Sequence, residues 1–140
     1  MALFEWKEDY SVGVNRFDEQ HQQLFALMNA MFDAVHMGYS RSALQGTFQR
    51  MFDYTALHLS EEEKAMTESG YPFAVQHCQQ HEGLRVKLGL HRERYQRGTA
   101  GIGLETVNFL LHWWTNHILT IDRQYKEFFA GLNVELAAKQ

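Results

Sequence analysis

Apolar residues recur along this chain at helical spacing, in four long runs separated by short breaks that carry glycine or proline. In the first run Leu24, Phe25, Met28, Met31, Phe32 and Val35 share one helix face, with Asp18 as the expected N-cap. The stretch HMGYS ends that run, Gly38 supplying the stop and Ser40 the next cap. Leu44, Phe48, Met51, Phe52, Thr55, Leu59 and Met66 mark the second run, which closes at SGYP. There Gly70 suits a left-handed C-terminal position and Pro72 a first helical turn. Phe73, Leu84, Leu88 and Tyr95 form the third stripe, ending at RGTAGIG. The fourth runs through Val107, Leu110, Leu111, Trp114, Ile118, Ile121, Tyr125 and Phe128 and stops before Gly131. Four amphipathic helices with short connections predict an all-α, antiparallel up-down-up-down four-helix bundle. Its expected extent is 18–130, with an N-terminal arm over 1–17 and a partly frayed tail over 131–140, together a single domain over 1–140.

Composition narrows the function. At 140 residues and 45% hydrophobic content the chain can bury one substantial core. A formal charge of −4, with both signs interspersed, supplies no basic stripe for a nucleic-acid backbone or an anionic membrane, so a small or neutral ligand is expected. The single cysteine, Cys78, excludes an intrachain disulfide. MALFEWKEDY carries charges where a secretory signal needs an apolar run, and NFLLHWW is too short to span a bilayer. A cytoplasmic protein is the resulting expectation.

Polar residues on the core-facing stripes carry the chemistry. His21 is in register with Leu24 and Met28, and His58 with Thr55 and Glu62. His77 and His81 stand one turn apart between Phe73 and Leu84, while His117 is in line with Trp114 and Ile121, with Asp122 one position off that line. In the predicted topology all of these fall near one end of the bundle, their heights overlapping within roughly 20 Å at about 1.5 Å per residue. Burying five imidazoles and two carboxylates without strong partners would cost several kcal/mol, and a metal removes that cost. Nitrogen-rich ligation suits a first-row transition metal, and seven donors exceed one tetrahedral zinc, so two metals bridged by the carboxylates are implied. Neither His-Glu-x-x-His nor Glu-x-x-His occurs, which argues against zinc-protease and carboxylate-rich di-iron patterns.

The motifs W…YSVGV…D.QH..L, YT..H...EE..M...GYP....H...H and W...HI...D resemble those of bacterial hemerythrins over nearly the whole chain. The resemblance implies a non-haem di-iron centre with an oxo or hydroxo bridge. Glu62 and Asp122 would bridge, His77, His81 and His117 would complete one iron, and His21 and His58 the other, whose open position binds molecular oxygen. It also aligns Leu24, Leu59, Trp113, Trp114 and Ile118 with the oxygen pocket. Trp114 departs from the family's smaller apolar residue: an indole there could shrink the pocket, gate entry, turn its N–H towards oxygen, or simply repack between helices.

The remaining candidates carry less. Cys78 follows His77 directly and points roughly 100° away around the helix, as a packed free thiol. His91 reads as a satisfied core histidine, His36 and His112 as surface residues, and EEEK as a solvated face apart from Glu62. The length leaves no room for a fused methyl-accepting, cyclase or kinase segment, so the leading expectation is oxygen storage, buffering or delivery rather than catalysis. The alternatives are a subunit sensing oxygen, redox state or nitric oxide, and a di-iron enzyme acting on peroxide or nitric oxide.

Overall fold

The computed structural model describes residues 4–38 and 40–131, so the expected tail beyond Gly131 lies outside the described residues. All regular structure among them is helical: α1 (Asn15–His36), α2 (Arg41–Ser69), α3 (Ala74–Gln96), α4 (Ile102–Thr120) and a short α5 (Lys126–Gly131). Two 3-10 turns, Glu8–Tyr10 and Asp122–Tyr125, precede α1 and separate α4 from α5. Each long helix packs on its chain neighbours and α1 also packs on α4, which closes the four into a bundle.

Both ends of α2 follow the local chemistry, whereas the start of α1 does not. Ser40 caps α2 by accepting from Ala43 N–H at 3.3 Å. Gly70 ends α2 at φ 76°, a left-handed conformation that costs a Cβ-bearing residue energy, and Tyr71 N–H returns to Met66 O at 3.0 Å. The exception is Asp18, which does not cap α1, since the helix begins at Asn15 after an extended Val14. Its carboxylate instead accepts from Val12 N–H at 2.8 Å and Ser11 O–H at 2.7 Å, tying the preceding arm to the helix. Donors six and seven residues upstream, the Val12 amide and the Ser11 hydroxyl, outcompeted the role of N-cap, because short acidic side chains bond loop donors as readily as helix ones.

The core runs the length of the bundle, with Leu24, Met28, Met31, Met51, Leu59, Met66, Leu84, Leu110, Trp114 and Ile118 fully buried. The N-terminal arm belongs to it. Phe4, Val12 and Val14 are buried, and Phe4 exchanges both backbone hydrogen bonds with the Asn29 side chain. Two expectations fail at the α2–α3 turn: Pro72 precedes the helix rather than opening it, and Phe73 is 53% exposed. Starting α3 at Ala74 shifts Phe73 to a position outside the first turn, where its ring stands edge-on to Tyr71 instead of entering the core.

The fourth run also breaks. It was expected to be one helix through Phe128, but α4 stops at Thr120 and the chain tightens into a 3-10 turn before α5. Five residues of continuous α-helix would put His117 and Asp122 about 140° apart around the axis. The tightened turn brings them to the same spot, with His117 Nε2 2.9 Å from Asp122 Oδ1. Among the described residues, no helix is long and apolar enough to cross a membrane.

Candidate metal centre

All seven side chains singled out on the stripes converge, each no more than 2% exposed: His21 from α1, His58 and Glu62 from α2, His77 and His81 from α3, His117 from α4, and Asp122 from the turn after it. They form two overlapping groups whose donor atoms lie within 4.8 Å of one another. One is Glu62, His77, His81, His117 and Asp122; the other is His21, His58, Glu62 and Asp122.

Both carboxylates divide their oxygens between the groups. Glu62 Oε1 lies 3.0 Å from both His77 Nε2 and His81 Nε2, while its Oε2 lies 3.4 Å from His58 Nε2 and 3.9 Å from His21 Nε2. Asp122 Oδ1 lies 2.8 Å from His77 Nε2 and 2.9 Å from His117 Nε2, and its Oδ2 3.2 Å from His21 Nε2. In the second group His21 and His58 bring their Nε2 atoms to 3.0 Å of each other.

Many of these atoms are close without being hydrogen-bonded. Glu62 Oε1, both Asp122 oxygens and the Nε2 atoms of His77, His81 and His117 are buried with no hydrogen-bond partner among the described residues. Buried polar atoms left this way cost about 1–3 kcal/mol each, more when charged. Lone pairs facing one another across such distances want a cation between them. Five imidazole nitrogens with two carboxylates shared between the groups are a donor set that fits first-row transition ions.

Without a metal, protons do part of that work. Burial alone would push His77 down, but Asp122 and Glu62 on either side outweigh it and hold its pKa up at about 10. His81 is raised too, burial being outweighed by Glu62 and Glu63. His58 moves the other way, because burial outweighs the pull of Glu62 and Asp122 and the neighbouring His21 adds to the fall. Burial pushes Glu62 and Asp122 up, yet their histidine neighbours hold both well below the usual carboxylate range.

A surrounding layer of partners was missed by sequence reasoning. Tyr125, read only as core, donates its O–H to Glu62 Oε2 at 2.8 Å. His58 Nδ1 faces Gln20 Oε1 at 2.6 Å, and Gln20 in turn donates to Glu61 Oε1 at 3.0 Å. Glu61 is held by Arg16. His81 Nδ1 faces Glu63 Oε2 at 2.8 Å, and Arg85 grips Glu63 with contacts of 2.9 and 3.1 Å. Within EEEK only Lys64 is exposed, while Glu61 and Glu63, expected on a solvated face, are half-buried and bonded towards the centre. The only sequence signals were Gln20 beside His21 and Glu63 beside Glu62, each one residue off the inward line.

Of the residues aligned with an oxygen pocket, Leu24, Leu59, Trp114 and Ile118 are fully buried. The Trp114 ring packs against the two-histidine group, 5.9 Å from His21 and 5.6 Å from His58, and its Nε1 has no hydrogen-bond partner. Trp113 is half-buried and lies on the three-histidine side, stacked on His117 at 4.3 Å. His91 bonds Thr106 at 2.7 Å, His36 and His112 are exposed, and Cys78 is a half-buried free thiol, its pKa pushed up by burial.

A helical bundle with a buried cluster of this donor set defines a bundle-borne metal-binding protein. Residues 12–129 match the family described as Hemerythrin HHE cation binding domain, and the chain belongs to the hemerythrin family. It is similar to the bacteriohemerythrin of Stenotrophomonas maltophilia (strain R551-3), with 32% identity over 91% of this chain and 82% of that one. A bacteriohemerythrin of Methylococcus capsulatus is 28% identical over 89% of this chain and 95% of that one. A crystal structure of wild-type hemerythrin superposes with a TM-score of 0.85 at 27% identity, covering 90% of this chain and 97% of the other.

Proposed function

We propose that the chain binds molecular oxygen reversibly at a non-haem di-iron centre with an oxo or hydroxo bridge, and so stores, buffers or delivers oxygen in the cytoplasm of a bacterial cell. In this reading Glu62 and Asp122 would be shared by both irons, His77, His81 and His117 would hold one of them, and His21 and His58 the other. The observation that carries it is the division of each carboxylate's oxygens between a three-histidine and a two-histidine group. Bound iron would supply one electron from each ion and, beside His21 and His58, a free coordination position.

The chain's own residues explain why binding would be reversible. Leu24, Leu59, Trp114 and Ile118 are fully buried, as are His21 and His58, and the Trp114 ring lies against both histidines, so the two-histidine side is closed to solvent. Among the described residues, the buried ionisable groups outside the seven are Tyr71 and Tyr125. Burial raises the pKa of each, with Asp122 and Glu62 adding to it, so neither is a ready proton donor. A buried two-histidine side with no general acid beside it among the described residues is poorly equipped for turnover, which favours carriage. Tyr125 keeps its proton and with it fixes the orientation of Glu62.

The test is anaerobic reduction of the iron-loaded protein, exposure to air, and removal of oxygen under vacuum, followed in the visible spectrum. Oxygen-dependent charge-transfer bands that appear and vanish over repeated cycles are expected. Irreversible bleaching on first exposure, or steady consumption of peroxide or nitric oxide abolished by His58→Ala, would overturn the carrier reading.

A further inference from the structure

Among the described residues, two of the five clustered imidazoles have a partner on the ring nitrogen that faces away from the cluster, one in each group. The Nδ1 atoms of His21, His77 and His117 have none. His81 and His58 both turn Nε2 inward, 3.0 and 3.4 Å from Glu62 oxygens, which leaves Nδ1–H to donate outward. The two acceptors differ in kind. His81 donates to a carboxylate, Glu63 Oε2, at 2.8 Å. His58 donates to an amide, Gln20 Oε1, at 2.6 Å, and the nearest carboxylate, Glu61, is one residue further out, bonded to the Gln20 amide nitrogen.

An anionic acceptor on the far nitrogen makes an imidazole a stronger donor to a metal than a neutral acceptor does, because it stabilises positive charge arriving at the ring. Both braces are rigid. Arg85 contacts both oxygens of Glu63, and Arg16 with Gln20 holds Glu61, so neither acceptor is free to turn away. Resting on the di-iron reading above, we propose that Glu63 and Gln20, neither of them a ligand, make the two metal positions unequal. The three-histidine position, backed by the Glu63 carboxylate through His81, fills first and empties last. The two-histidine position, backed by the Gln20 amide through His58, is the labile one.

Glu63 and Gln20 act as positioning residues, and the test separates charge from mere orientation. Metal-free protein is titrated anaerobically with cobalt(II) alone against a competing chelator, following the d–d absorption of each step. Wild type takes two equivalents in two separated steps. Glu63→Gln keeps an oxygen acceptor for His81 but removes the charge, and weakens the first step about 10–100-fold while leaving the second unchanged. Gln20→Ala does the converse, weakening only the second step. Far-UV circular dichroism of each metal-free variant checks its fold, and the Gln20→Ala result tests the assignment even if Glu63→Gln does not fold. Two equivalents bound in steps of equal affinity, or Glu63→Gln titrating as wild type while Glu63→Ala does not, would overturn the proposal and leave the two-metal reading standing. Wild type binding a single equivalent would overturn the two-metal reading itself.

Discussion

Tyr125→Phe isolates one hydrogen bond between two fully buried side chains. The ring packs 5.0 Å from Phe129, 5.7 Å from His77 and 6.1 Å from Phe17, and all of that survives in phenylalanine. What disappears is the 2.8 Å bond from the hydroxyl to Glu62 Oε2, between two groups with no exposed surface. Tyr125 is a dependable donor there, since burial and then Glu62 and Asp122 push its pKa far above the normal value. A hydrogen bond to a charged group contributes about 1.5–3 kcal/mol. At about 3–4 °C per kcal/mol for a chain of this size, the metal-free variant should melt on the order of 5–10 °C below wild type. Thermal unfolding followed by circular dichroism, at neutral pH and with metal removed from both proteins, measures this. An unchanged midpoint would refute the reasoning, because it would mean that Glu62 does not depend on Tyr125 for its orientation or solvation.

Proton linkage gives a second prediction. His77, held up at about 10, stabilises the metal-free protein fully below its ordinary value near 6.5, and that contribution fades as pH rises through about 10. Glu62 and Asp122, held low, stabilise it above their ordinary values and lose that contribution as pH falls through their lower folded ones. A metal must displace the His77 proton, so binding near neutral pH should release protons and tighten as pH rises; calorimetry in two buffers of different ionisation heat should give different apparent heats, and identical heats would contradict it. Gly103→Ala should destabilise by about 0.5–2 kcal/mol in denaturant titration, since its Cβ would stand 2.9 Å from Val35 Cγ2 and overpacking outweighs the gain in helix propensity. Gly89→Ala should do the reverse, adding about 0.5–1 kcal/mol, because the site is a helix interior where a Cβ meets nothing within 4 Å.

The bundle and the inward histidines were legible because helical periodicity is a strong, repeated signal and a buried imidazole interrupts it visibly. His21, His58, His77, His81 and His117 all occupy stripe positions, and all are buried. What periodicity could not reveal were departures from the regular helix. Asp122 reaches the cluster from a 3-10 turn that no spacing rule announces, and Phe73 left the core because α3 starts one residue after it. The partners behind the cluster were hidden for a different reason. Gln20, Glu61 and Glu63 are polar residues at the edge of the inward face, where a long side chain can turn to solvent or to a histidine, and only tertiary packing selects between them. Asp18 failed the same way, its loop amide partner being invisible to a capping rule.

Anomalous diffraction at the iron edge, from crystals of iron-reconstituted protein, addresses the central claim most directly. Two peaks in the buried cluster are expected, both touching Glu62 and Asp122, one also touching His77, His81 and His117 and the other His21 and His58. A lone peak, or two peaks sharing neither carboxylate, would contradict it.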